Sequence, residues 1–143
     1  MSESTFLSGK VLKKTLPAFD GPPGSDAPLL KRLLLPQGEL AQFHDADEPI
    51  RYMAFLELRD GTLRGNHYHE LKEEFFYLIQ GEVELAVIDL DSGQRESIPM
   101  ISGDLAFIRQ RVAHAFKVRK PGQAIEFSGH RYDPRDTYRH LVQ

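Results

Sequence analysis

GTLRGNHYHELKEEFFYLIQG, residues 61–81, is the stretch on which the reading of this chain turns. His69, Glu73 and Phe76 could share one helical face. The aromatic and β-branched run Phe75, Phe76, Tyr77 and Ile79 favours a strand instead. If TLRGNHYHE (62–70) is also a strand, His67 and His69 point to the same side, because side chains alternate. Glu74 then follows on the next strand, EEFFYLIQ (73–80), and His114 closes the later segment GDLAFIRQRVAH (103–114). Three imidazoles and one carboxylate can surround one divalent metal and still leave positions open for a substrate.

Outward from this stretch, the chain is punctuated as an antiparallel β protein. KRLLL (31–35) and IRYMAFLEL (50–58) read as strands, and Asp60-Gly61 is a hairpin signal. A turn is expected at Gln80-Gly81, then the strand EVELAVIDL (82–90), then another turn at Asp91-Ser92-Gly93. LAFI (105–108), HAFKV (114–118) and AIEFSG (124–129) continue the pattern, with a turn at Pro121-Gly122 between the last two. No apolar stripe of helical period runs from 50 to 130. The expected fold is all-β and antiparallel, a sandwich or small barrel. PAFDGPPGSDAP (17–28) reads as a loop or extended arm. The expected organisation is an N-terminal arm over 1–30 and a barrel domain over 31–143.

Composition narrows the functional classes. The chain has 143 residues, 41% hydrophobic and 27% charged, which suits one folded domain. A formal charge of −3 without a basic tail argues against nucleic acid or an anionic membrane as partner. There is no cysteine, so disulfides, thiolate nucleophiles and Cys-type zinc sites are excluded. No apolar run approaches a membrane span. The start, MSESTFLSGKVLKK, lacks the apolar core of a signal peptide, and the default expectation is a cytoplasmic protein.

At the residues quoted above the chain resembles the cupin superfamily. Gly61, His67, His69, Glu74 and Gly81 fit every spacing of its first motif. Glu73 would satisfy a shorter gap, but only Glu74 stands correctly before Gly81. Gly103 and His114 match the second motif, whereas Arg109, Arg111 and Val118 replace its usual proline, glycine and asparagine. The departures concern the loop before His114 and not the histidine. The resemblance covers about residues 50–130. It implies an antiparallel double-stranded β-helix, the cupin or jelly-roll barrel, that carries a divalent metal (Zn, Fe, Mn or Ni) in its mouth. The metal ligands would be His67, His69, Glu74 and His114, and a homodimer is implied. By alternation, Phe76 and Phe116 should line the same interior as the ligands. Together with Tyr52 and His130 they are the candidate substrate pocket.

RGNHYH (64–69) and RYDPRDTYRHL (131–141) are also similar to small cupins of polysaccharide and nucleotide-sugar pathways, including a sugar ketoisomerase group. Those ketoisomerases typically lack the full metal set. The resemblance therefore implies a metal-dependent isomerase, epimerase or lyase acting on a sugar or sugar-nucleotide type small molecule. A non-haem iron dioxygenase and a non-catalytic small-molecule binder are the alternatives. Glu73, Tyr52 and His130 are the candidate bases. The charged run ELKEE (70–74) is expected to be solvated apart from Glu74, and His44 reads as a solvated loop residue.

Overall fold

A computed structural model describes residues 2–142 and forms twelve strands, with no α-helix among the described residues. In chain order these are β1 (Ser2–Phe6), β2 (Val11–Thr15), β3 (Ala18–Asp20), β4 (Lys31–Leu35), β5 (Gly38–Gln42) and β6 (Tyr52–Leu58). Then come β7 (Leu63–Tyr68), β8 (Glu74–Asp89), β9 (Arg95–Ile101), β10 (Asp104–Ile108), β11 (Val112–Ser128) and β12 (Tyr138–Arg139). The expectation of an all-β antiparallel jelly roll holds.

β8 and β11 organise the barrel. They pair antiparallel along nearly their whole length, from Asp89↔Val112 to Phe75↔Phe127. The turns expected at Gln80-Gly81 and Pro121-Gly122 are not turns. Both strands run through these points and bend together. Gly81 has φ 112°, and a Cβ on it would lie 2.7 Å from the Lys120 carbonyl oxygen. A Cβ on Gly122 would lie 1.6 Å from the Gln80 carbonyl oxygen. Glycine stands at both places because two backbones touch, and the register slips there as in a β-bulge. The slip also reverses the alternation along β8. Glu74, Phe76 and Leu78 are buried in the barrel before Gly81, and Val83, Leu85 and Val87 after it.

The bend produces two walls. The first half of β8 and second half of β11 join β10, β2, β1 and β6 in one wall. The other halves join β9, β7 and β12 in the second. Between them lies a core containing Val11, Phe76, Leu85, Ile98, Met100 and Phe116. Fully burying one such large side chain contributes roughly 2–3 kcal/mol.

The N-terminal stretch differs from an arm. Residues 2–15 supply β1 and β2, β2 pairs with β10, and Val11 is wholly buried. The apolar residues here, Leu7, Val11 and Leu12, do not alternate, and lysines surround them, so no strand signal stands out. Beyond it, β3, β4 and β5 form a small second sheet. Its flanks cover the outer face of the first wall, with Phe43 stacked on Tyr77 at 4.1 Å.

Candidate metal centre

The strand that carries His67 is shaped by two residues in the left-handed region, Gly65 (φ 108°) and Asn66 (φ 59°). They make a bulge, after which His67 pairs with His114 while Gly65 pairs with Ala115. Only glycine fits at 65, where a Cβ would meet the His114 carbonyl oxygen at 2.6 Å. The C-terminal tail holds the bulge from outside. Asn66 Oδ1 accepts from the Val142 N–H (3.0 Å), and its carbonyl accepts from the His140 N–H (2.9 Å).

The residues that depart from the motif around His114 make contacts of their own. Arg111 replaces the expected glycine yet has φ 60°. That conformation costs a side-chain-bearing residue about 1–2 kcal/mol. Its guanidinium offsets this by bridging Glu70 and Asp91, each at 2.9 Å, and its N–H donates to the His69 carbonyl at 2.7 Å. Arg109 replaces proline, and its N–H donates to the Lys10 carbonyl at 3.0 Å, a bond proline could not make. Val118 replaces asparagine and is buried in the barrel core.

His67, His69, Glu74 and His114 converge across the barrel, with one ligand atom from each lying within 4.8 Å of all the others. Glu74 comes from the first wall and the histidines from the second or its margin. The tautomers are set by the backbone: His69 Nδ1 lies 2.7 Å from the Asp136 carbonyl oxygen, and His114 Nδ1 lies 3.0 Å from that of Val112. A carbonyl only accepts, so each Nδ1 carries a proton, and in the neutral ring each Nε2 presents a lone pair inward. Both Nε2 atoms are buried without a hydrogen-bond partner. His114 Nε2 lies 2.6 Å from Glu74 Oε1, a contact that becomes an ion pair when the ring is protonated. Two orphaned, inward-facing imidazole nitrogens beside a carboxylate are what a borderline divalent metal requires, and the cluster is able to hold one.

The electrostatics agree. Burial, reinforced by His114, pushes the His67 imidazole down to about 4. Burial also lowers His69, with Glu74 opposing. Burial would raise the Glu74 carboxyl, but His114 and Lys72 overcome it and hold the group well below the ordinary carboxylate range. The same Glu74 charge lifts His114 above its usual value against burial.

The other expected residues separate. Phe76 and Phe116 stack at 4.0 Å in the barrel beneath the cluster. Tyr52 stands at the same end, with its ring under Lys72 Nζ (4.4 Å) and stacked on the exposed Tyr132. His130 is not brought to the cluster. With Glu73 and His44 it lines a cavity of about 360 Å³ on the outer face of the first wall. His44 is no free loop residue, for it packs against Phe75 and Phe127.

Three contributors escaped the sequence reading. Lys72, expected to be solvated, is buried with Nζ 3.4 Å from Glu74 Oε2. Asp136 is buried, and its carboxylate accepts the N–H groups of Glu70, Leu71 and Lys72. Nothing in RYDPRDTYRHL distinguishes Asp136 from Asp133, which merely caps its own short turn. Glu126 faces the interior and accepts from the Tyr52 hydroxyl at 3.2 Å. Here a signal existed: in AIEFS the apolar Ile125 and Phe127 alternate with a carboxylate and a serine.

The barrel is similar to solved sugar-nucleotide enzymes. A 3,4-ketoisomerase from Helicobacter canadensis matches with a TM-score of 0.67 and 16% identity, over 77% of this chain and 86% of its own. The rmlC epimerase of Mycobacterium tuberculosis matches with a TM-score of 0.73 and 13% identity, over 96% and 72%. ChmJ, a 3'-monoepimerase from Streptomyces bikiniensis in complex with dTDP-quinovose, matches with a TM-score of 0.72 and 14% identity, over 93% and 70%. At such identities the likeness speaks to the fold. No curated protein matches the sequence. The family model described as a cupin domain, however, matches residues 54–128, more than half of the chain and the segment that carries all four converging residues, and on that match the chain belongs to the cupin family.

Proposed function

We propose that this cupin is a metal-dependent isomerase, epimerase or lyase acting on a sugar or sugar-nucleotide type small molecule. One observation carries the reading: two buried imidazole nitrogens with no partner, tautomer-locked and aimed at a buried carboxylate. A barrel that kept this cluster for structure alone would leave the cost of those orphaned groups uncompensated. His67, His69, Glu74 and His114 would hold the ion, which when bound supplies Lewis-acid polarisation of a substrate oxygen. The sugar class is supported by the similarity to ketoisomerases and epimerases of that chemistry. The chain's own residues do the rest. The two walls hold the ligands on strands or at their margins, Phe76 and Phe116 close the barrel floor against water, and Tyr52 with Tyr132 flanks the approach.

No helix of the described residues is long and apolar enough to cross a membrane. A cytoplasmic homodimer is part of the proposal. The same ligand set suits a non-haem iron dioxygenase, and oxygen consumption by the iron-loaded protein separates the two. The test is metal analysis of protein purified without chelator, followed by NMR of the loaded protein with dTDP-4-keto-6-deoxyglucose. Near-stoichiometric metal with conversion of the sugar is expected. Absence of stoichiometric metal would overturn the metal-dependent reading, and binding without conversion would favour a non-catalytic ligand binder.

A further inference from the structure

An isomerase or epimerase of this kind must take a proton from carbon beside a carbonyl, and the three bases suggested by sequence do not provide it together. Glu73 and His130 line the outer cavity, on the opposite side of the wall from Glu74. Tyr52, half-buried, is raised above the ordinary phenol range by burial and by Glu126, which makes it a poor base and a competent donor. Glu126 remains. It sits on β11 opposite Phe76, two residues along β8 from Glu74, so alternation turns it into the same interior as the metal cluster. On its other side β6 brings Tyr52, whose hydroxyl donates to Glu126 Oε1 at 3.2 Å. Lys72 then joins this pair to the cluster, with Nζ over the Tyr52 ring at 4.4 Å and 3.4 Å from Glu74 Oε2. Glu126 is not among the four converging ligands.

We propose, resting on the isomerase reading above, that Glu126 is the catalytic base and that Tyr52 positions it. The Glu126 carboxylate takes the proton from the carbon next to the substrate carbonyl. The C–H electron pair becomes the C=C of an enediolate, and the carbonyl oxygen takes the negative charge. In an isomerisation the proton on Glu126 goes to the former carbonyl carbon while the proton of the adjacent hydroxyl passes to the former carbonyl oxygen, so the C=O moves by one carbon; in an epimerisation the proton on Glu126 is released to solvent and the same carbon takes a solvent-derived proton on its other face. No oxidant or further reactant is needed. Burial and the nearby Glu74 charge raise Glu126 above the ordinary carboxylate range, which suits a group that must accept a proton and give it up near neutrality.

The experiment follows deuterium uptake into dTDP-4-keto-6-deoxyglucose in deuterium oxide by mass spectrometry, using the metal-loaded full chain. Glu126→Gln should lower the exchange rate by on the order of 100-fold or more. It should keep wild-type metal stoichiometry, melting temperature and, within about threefold, affinity for the sugar nucleotide measured by calorimetry. Tyr52→Phe, which keeps the carboxylate and removes one hydrogen bond, should lower exchange by roughly tenfold. If Glu126→Gln exchanges at the wild-type rate, the assignment is wrong while the isomerase reading stands. If it loses metal instead, Glu126 is a ligand and not the base. If the wild type exchanges no deuterium, the isomerase reading falls and the role of Glu126 falls with it.

Discussion

Glu73 and Glu74 are adjacent carboxylates with opposite surroundings. Glu74 is buried between His114 and Lys72, whereas Glu73 lines the outer cavity. Alanine at His67, His69, Glu74 or His114 should lower metal affinity by at least an order of magnitude, and Glu73→Ala should leave it unchanged; titration with a metal-sensitive dye reads both. If Glu73→Ala alone empties the centre, the strand register is wrong. The pH dependence also follows from single residues. Folding depresses the His67 pKa from 6.5 to about 4, chiefly by burial, so the folded state disfavours its protonated form. The stability this contributes is present above pH 6.5 and is lost as pH falls through about 4. The melting temperature of the metal-free protein should drop across that window, and His67→Asn should shrink the drop. His114 behaves oppositely, because Glu74 raises it. Its proton must leave when metal binds, so calorimetry in buffers of different ionisation enthalpy should show proton release at neutral pH. Equal apparent enthalpies in all buffers would contradict this.

Among the elements, the paired bend of β8 and β11 and the C-terminal clasp carry the most consequence. Gly122→Ala forces a Cβ to within 1.6 Å of the Gln80 oxygen and should cost more than about 3 kcal/mol or prevent folding. Gly93 is the control. It has φ 76° with open space around it, so Gly93→Ala should cost only about 1–2 kcal/mol in urea denaturation. The clasp works through Asp136, whose carboxylate holds the backbone of 70–72 while its carbonyl fixes the His69 ring. Asp136→Ala leaves three N–H groups without their acceptor. It should weaken metal binding by roughly 10–100-fold, as loss of a supporting partner does. Asp136→Asn, which keeps one acceptor oxygen, should recover part of that loss.

At the scale of the molecule, the first wall ends in an edge strand. Among the described residues β6 pairs only with β11, and its outward side chains Met53 and Phe55 are 55% and 65% exposed. An open edge beside exposed apolar side chains is a liability in a monomer. A second copy of the chain would cover it, and this edge is therefore the better candidate interface than residues 1–30, whose first strands are already committed to the barrel. Met53→Glu combined with Phe55→Glu should convert a dimer to a monomer in sedimentation analysis without loss of metal. A wild-type monomer at high micromolar concentration would end the proposal.

The local chemistry of short segments was enough to define the strands around 61–81 and 103–118, the all-β class and the set His67, His69, Glu74 and His114. Alternation and spacing are properties of neighbours in sequence, and they survive folding when no bulge intervenes. The bulge at Gly65-Asn66 lies before His67, so the pairing of His67 with His69 was legible. What only the tertiary structure decided depends on backbones that meet from distant parts of the chain. Gly81 and Gly122 have the composition of turns, yet they are glycine because two long strands press together there. Lys72 reads as a surface charge, yet it is buried because Glu74 and Tyr52 wait on other strands. Asp136 and Glu126 look ordinary because their partners, residues 69–72 and Tyr52, lie more than sixty positions away. The sequence by itself determined which four residues converge in the barrel; the tertiary fold decided what supports and surrounds them, because burial and hydrogen-bond partnership are set by non-local packing.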